Sequence, residues 1–169
     1  MKQVLSGLLV VCGFFAYYIS KLNRVALGKY KTVLVKRRNP NIGGIGWGTY
    51  WNLLKQVHIG ANTYINGAEL ITTNETEITI GDNCLISYDV VMRTDTHNFA
   101  DLKRPIIEQG SSAQSILIGN NVWIGQGAYI MPGVKIGDNS IVGASAVVTR
   151  DIPANVIVGG CPAEVIRAR

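Results

Sequence analysis

The first third of this chain has no acidic residues. Nine basic side chains (Lys2, Lys21, Arg24, Lys29, Lys31, Lys36, Arg37, Arg38 and Lys55) precede Glu69 without one aspartate or glutamate, whereas seven basic residues face eleven acidic ones from there on. The net charge of +5 is therefore an asymmetry, with a basic module ahead of a mildly acidic remainder. Those charges flank an apolar run and do not interleave with aromatics, which argues against a nucleic-acid recognition motif. Histidine is scarce as well: His58 and His97 are the only two, too few for a zinc site built on three histidines. The three cysteines, Cys12, Cys84 and Cys161, have neither metal nor redox spacing, and they read as reduced thiols of a cytosolic protein.

What the first third does have is an uncharged stretch of seventeen residues, VLSGLLVVCGFFAYYIS, from Val4 to Ser20. That length is at the lower limit for spanning a bilayer. A cleaved signal peptide would need a small-residue site that YYISKLNRV does not offer. Two readings remain. The run is either a core helix or a membrane helix or in-plane anchor, and the anchor also accounts for the basic cluster Lys29 to Arg38, which anionic lipid would attract. On the anchor reading, the bias of basic residues toward the cytoplasmic side leaves the rest of the chain in the bacterial cytoplasm, at the inner face of the inner membrane.

Beyond residue 58 the pattern changes. From Ser115 to Ile152 an aliphatic residue returns at every sixth position: Ile118, Ile124, Ile130, Ile136, Val142 and Val148. Helices return apolar residues at three or four, and half-buried strands at two, so neither template fits. Four residues after each comes a second small or branched residue (Val122, Ala128, Val134, Ser140, Ala146, Ile152). Asn121, Gly127, Gly133 and Asn139 stand between, and these types tolerate the left-handed backbone of a sharp corner. Each hexad is a short strand plus a corner. Because one leg cannot bury its apolar side alone, the legs must stack as coils of a solenoid. The same register gives Ile59, Ile65 and Ile71 as one coil and Ile80, Ile86 and Met92 as the next, with a three-residue slip between them. Cys84 falls in an inward small-residue slot.

After His97 the period fails for about twenty residues and resumes in phase at Ile118, as an extruded loop would make it do. With 169 residues and 47% apolar composition, one domain is expected. Its expected parts are an anchor or cap over 1–58, the repeat domain over 59–153 with a loop at about 98–115, and a tail over 154–169.

These hexads resemble the hexapeptide-repeat acyltransferases, and most closely the galactoside- and maltose-type sugar O-acetyltransferases. The similarity rests on IGNNVWIGQGAYIMPGVKIGDNSIVGASAVVTRDIP and the ending VIVGGCPAEVIR. It implies an all-β fold, a left-handed parallel β-helix of three legs per coil, here with an N-terminal apolar helical segment and one extruded loop. The handedness comes from the resemblance alone, since parallel crossovers in open sheets wind the other way.

The resemblance also implies an acetyl-CoA-dependent O-acetyltransferase with no metal. His97, in DTHNF, would be the general base that takes the acceptor hydroxyl's proton, a task suited to imidazole, and Asp95 could help orient it. Asn66 would hydrogen-bond the acceptor, Trp123 would be an active-site tryptophan, and the Gln126 N–H would serve the thioester carbonyl. For coenzyme A it implies Gly143 and Ala144 beside the pantetheine and Thr149, Arg150 and Arg167 near the phosphates, all within a homotrimer. Residues 1–58 look nothing like the acceptor-side module of the disaccharide enzymes. That departure, with the anchor, points to a saccharide of capsule, lipopolysaccharide or exopolysaccharide biosynthesis. An antibiotic or serine acetyltransferase is the alternative, and a non-catalytic β-helix protein a further one.

Overall fold

The computed structural model describes residues 19, 22, 23 and 26–169. The expected anchor, Val4 to Ser20, lies outside the described residues except for Ile19. Among the described residues no helix is long and apolar enough to cross a membrane.

From residue 44 the chain winds as a parallel β-helix with three faces. The first face stacks Gly44–Ile45, Tyr64–Ile65, Leu85–Ile86, Trp123–Ile124, Ile141–Val142 and Val156–Gly159; the second stacks Tyr50–Trp51, Glu69–Ile71, Val91–Arg93, Tyr129–Ile130 and Val147–Val148. Val57–Ile59, Ile78–Ile80, Ile116–Ile118 and Lys135–Ile136 form the third. Successive legs visit the third, first and second faces in turn. Legs this short form because each offers one branched aliphatic to the interior. Ile59, Ile80, Ile118 and Ile136 are direct partners across coils, and Ile65, Ile86, Ile124 and Val142 make the same column on the first face. The six hexad aliphatics and their six small companions are all buried, so the six-residue period is the period of the core.

The corners are as specific as the core. Between the third and first faces stand Asn62, Asn83, Asn121, Asn139 and Asn155, all with φ between 53° and 63°, a region that asparagine enters more readily than most residues because its short amide can bond locally. Their side chains form a ladder up this edge: Asn62 donates to Asn83 (3.2 Å), Asn121 to Asn139 (2.8 Å) and Asn139 to Asn155 (3.0 Å). Cys84 is buried beside this corner and its Sγ donates to the Gly119 carbonyl at 3.1 Å. Burial pushes the thiol's pKa up.

Three features differ from the sequence-based expectation. The strands Gly44–Ile45 and Tyr50–Trp51 pair with Tyr64–Ile65 and Glu69–Ile71, so the solenoid begins ahead of Ile59; their second inward slot is the buried Thr49, which carries no apolar signal. In the next coil Leu70, not Ile71, is the inward partner of Met92. The corner holding Asn66 is one residue shorter than its counterparts and the following corner is four longer, so Ile59 and Ile80 end twenty-one residues apart; at that longer corner Thr76 and Thr94 bond through their hydroxyls at 2.6 Å. The residues expected as a tail complete the first face. Val156–Gly159 adds in parallel and Glu164–Ala168 returns antiparallel to cover the open edge.

Residues 26–36 form a helix that packs on the first coil through Val35, part of the core. Thr32 Oγ1 accepts from the Ile45 N–H (3.1 Å) and donates to the Gly28 carbonyl (3.0 Å). Lys31 Nζ donates to the carbonyls of Trp47 (3.2 Å) and Thr49 and lies 5.5 Å from the Trp51 ring; its burial lowers its pKa. Arg38 donates to the Leu54 carbonyl at 2.8 Å. Two charges of the basic cluster thus fasten the helix to the coil.

Candidate active site

His97 ends the strand Asp95–His97, which pairs antiparallel with Ser111–Ala113, His97 opposite Ser111. The ribbon leaves the solenoid where the second face turns toward the third. The loop beyond it is held by Gln109, which accepts from the Asp101 N–H (3.0 Å) and donates to the carbonyls of Asp101 and Arg104 (both 2.8 Å). Ribbon and loop enclose a groove of 410 Å³ with His97, Phe99, Asp101 and Arg104 in its walls. The His97 side chain is exposed there and stands apart from the ion pairs of the described residues. Asp95 does not orient it within the chain. Its two oxygens accept from Arg93 at 2.9 and 3.3 Å, so the carboxylate is committed to that guanidinium.

The other expected residues lie elsewhere on the coil. Asn66 follows the first-face strand Tyr64–Ile65, half-buried, and its Oδ1 occupies the space a Cβ at Gly46 would need, 2.7 Å from that position. Trp123 projects from the first face, 49% exposed, with Nε1 donating to Ser87 Oγ at 3.4 Å. Gln126 sits at the corner between the first and second faces, its Nε2 donating to Asp89 at 3.2 Å and its carbonyl accepting from the Ser145 N–H at 2.8 Å. Its own N–H has no backbone acceptor among the described residues, so it is available as a donor. Ser87 and Asp89, which hold these two side chains, carried no signal in the sequence.

Gly143 and Ala144 continue the Gln126 corner one coil further on, with Ala144 exposed. A side chain on Gly143 would come within 3.2 Å of the Val158 carbonyl, so coil stacking favours a glycine there. Thr149 is exposed. Arg150 is ion-paired with Glu164, and Arg167, on the covering strand, donates to the Ala168 carbonyl at 3.0 Å. An anion arriving here would have to compete with Glu164 for Arg150.

The groove at His97 contains neither Asn66 nor Trp123. A depression of 780 Å³ on the third face contains none of the expected residues. Gly81, Gly119 and Gly137 line it, and each leaves space because a side chain would strike the next coil. Among the described residues no group of three histidine, cysteine or acidic side chains could hold a metal ion.

Repeat, corner geometry and coil stacking define a hexapeptide-repeat β-helix. Residues 115–150 match the family model described as bacterial transferase hexapeptide (six repeats). The chain is 41% identical to galactoside O-acetyltransferase of Escherichia coli K12 over 137 residues, 79% of this chain and 66% of that protein. It is 40% identical to a putative colanic acid biosynthesis acetyltransferase, WcaF, of the same organism over 55% of this chain and 48% of the relative. Among solved structures, a galactoside acetyltransferase in complex with coenzyme A superposes with a TM-score of 0.63 at 41% identity, covering 71% of this chain and 58% of that one. The chain spans about half to two thirds of the length of these relatives. It belongs to the hexapeptide-repeat acyltransferase family, and membership carries the left-handed winding that the resemblance implied.

Proposed function

We propose that this protein is an acetyl-CoA-dependent O-acetyltransferase acting on a saccharide hydroxyl, in the biosynthesis of capsule, lipopolysaccharide or exopolysaccharide. The observation that carries the reading is the placement of His97. Its imidazole is exposed at the root of the only long excursion from the described solenoid, in the wall of the groove there and outside the ion pairs of the described residues. Such a group can accept the acceptor hydroxyl's proton as the oxygen attacks the acetyl carbon, and return it to the departing thiol, which balances the transfer. Gln126 offers an N–H to the carbonyl oxygen as charge develops there, and Ser87 fixes the Trp123 indole. The corner at Gly143 and Ala144 suits a narrow pantetheine arm, with Thr149, Arg150 and Arg167 at the phosphate end.

Asn66, His97 and Trp123 lie on three successive coils, and the His97 groove contains neither of the other two, which is in keeping with a homotrimer whose neighbouring helices would each contribute part of the site. The run Val4 to Ser20 would fasten the assembly to the cytoplasmic face of the inner membrane, where lipid-linked saccharides are modified. Thiol release from acetyl-CoA, measured against nucleotide sugars, lipid-linked saccharides, serine and chloramphenicol, tests the reading. Release with a saccharide alone is expected, and release only with serine or chloramphenicol would replace it.

A further inference from the structure

The helix over 26–36 and the first face enclose a groove of 560 Å³. Asn66, the residue expected to meet the acceptor hydroxyl, lines it. Its walls include three aromatic rings, Trp47, Tyr64 and Tyr88, all more than 40% exposed, and ring faces of this kind stack on the apolar faces of sugar rings. The opposite wall is the helix, which presents Lys29 and Lys36 seven residues apart and therefore on one side, two turns from each other. Gly28 brings that wall close, since a side chain there would lie 3.2 Å from the Trp47 backbone.

The charge of this groove is one-sided. No acidic residue lines it, and neither lysine takes part in an ion pair among the described residues. Elsewhere on the helix, Lys31 and Thr32 are committed to fastening it to the coil, so Lys29 and Lys36 are the cations left to face a ligand. A neutral sugar would need the aromatic walls and Asn66 but not these two.

We propose that the groove is the acceptor subsite and that it selects an anionic saccharide, one carrying a carboxylate or phosphate a sugar unit or so from the hydroxyl that Asn66 meets, with Lys29 and Lys36 as the selecting residues. This rests on the acetyl-transfer reading above. Two lysines at a solvent-open groove act as point charges that a carboxylate or phosphate satisfies equally well, so the structure identifies the charge and the assay identifies its source.

The test compares KM for matched acceptors with the full chain: a uronic-acid oligosaccharide against its methyl ester, and a sugar phosphate against the free sugar. The wild type is expected to favour the charged member of at least one pair tenfold or more. The pair that responds identifies carboxylate or phosphate. In Lys29→Gln/Lys36→Gln the preference should fall to about one, while Lys55→Gln, which removes a charge outside the groove, should retain it. The wild-type preference should also shrink as salt is raised, because exposed charges are screened, a readout that survives if the double variant fails to fold. Equal KM for charged and neutral members, with transfer clearly occurring, overturns the inference alone. An absence of transfer to any saccharide overturns the acetyltransferase reading and this inference with it.

Discussion

The coils between Ile116 and Val158 and those between Gly44 and Arg93 use the same three faces, yet they differ in regularity. In the later coils the legs from Ile118 to Val148 keep a strict six, and Ile118 and Ile136 are partners eighteen residues apart. In the earlier coils the corresponding partners Ile59 and Ile80 are twenty-one apart, one corner is a residue short, and the loop is extruded before Ile116. In the regular half the expected site residues, Trp123, Gln126 and the Gly143–Ala144 corner, ride on unbroken repeat geometry, whereas Asn66, His97 and the helix groove all sit at or beside an irregularity. Departures from the repeat cost packing and ladder bonds, so their concentration in one half marks where the fold yields to another requirement.

The contrast is sharpest for substitutions in the two settings. Ile130→Ala removes a fully buried side chain from a regular coil and should lower stability by about 2–5 kcal/mol; Leu102→Ala, at the loop tip and 97% exposed, should change it by less than about 0.5 kcal/mol. Denaturant melts of the two variants measure the difference directly. A smaller effect is expected at the corners. Asn139→Ala loses two ladder bonds and places a Cβ-bearing residue without a local amide at φ 59°, at a cost of about 1–3 kcal/mol. Asn139→Gly keeps the backbone and should recover part of that loss. If alanine and glycine melt alike, the backbone does not need the left-handed residue.

The smallest effect concerns Cys84. Its thiol is held protonated by burial, so its pKa is raised in the folded state. The stability it contributes is complete below the ordinary thiol pKa of about 8.5 and falls as pH rises past that value toward the folded one, since only the unfolded chain ionises there. Cys84→Ser should flatten this alkaline decline in melts taken at successive pH values. Serine fits such a slot: Ser140, in the equivalent position, is fully buried and donates to the Pro153 carbonyl at 2.8 Å.

The same contrast decides what could be read from the sequence. The later coils were legible because every inward position is aliphatic or small and their left-handed corners, Ser145 apart, are asparagine or glycine. Asp89 and Ser145 take the left-handed backbone too, but only the surrounding phase marks them. The first coil was illegible because Thr49 fills an inward slot, and the next was misphased because a shortened corner moves Leu70 inward in place of Ile71. His97 could be placed from where the period broke. Side chains that hold the site were not accessible that way: Glu164 on Arg150, Asp89 on Gln126 and Ser87 on Trp123 meet across neighbouring coils, between 14 and 37 positions apart in the chain, and no local pattern records them. The groove between the helix and the first face depends on how Lys31 and Thr32 dock, which composition does not reveal.

The claim on which the rest depends is that His97 is the base for acetyl transfer. Wild type and His97→Ala should be compared by thiol release from acetyl-CoA with a saccharide acceptor, alongside a melt of each. The side chain is exposed and makes no ion pair among the described residues, so the melts should coincide while the rate falls about a hundredfold or more. A variant that folds normally and turns over at close to the wild-type rate would contradict the account.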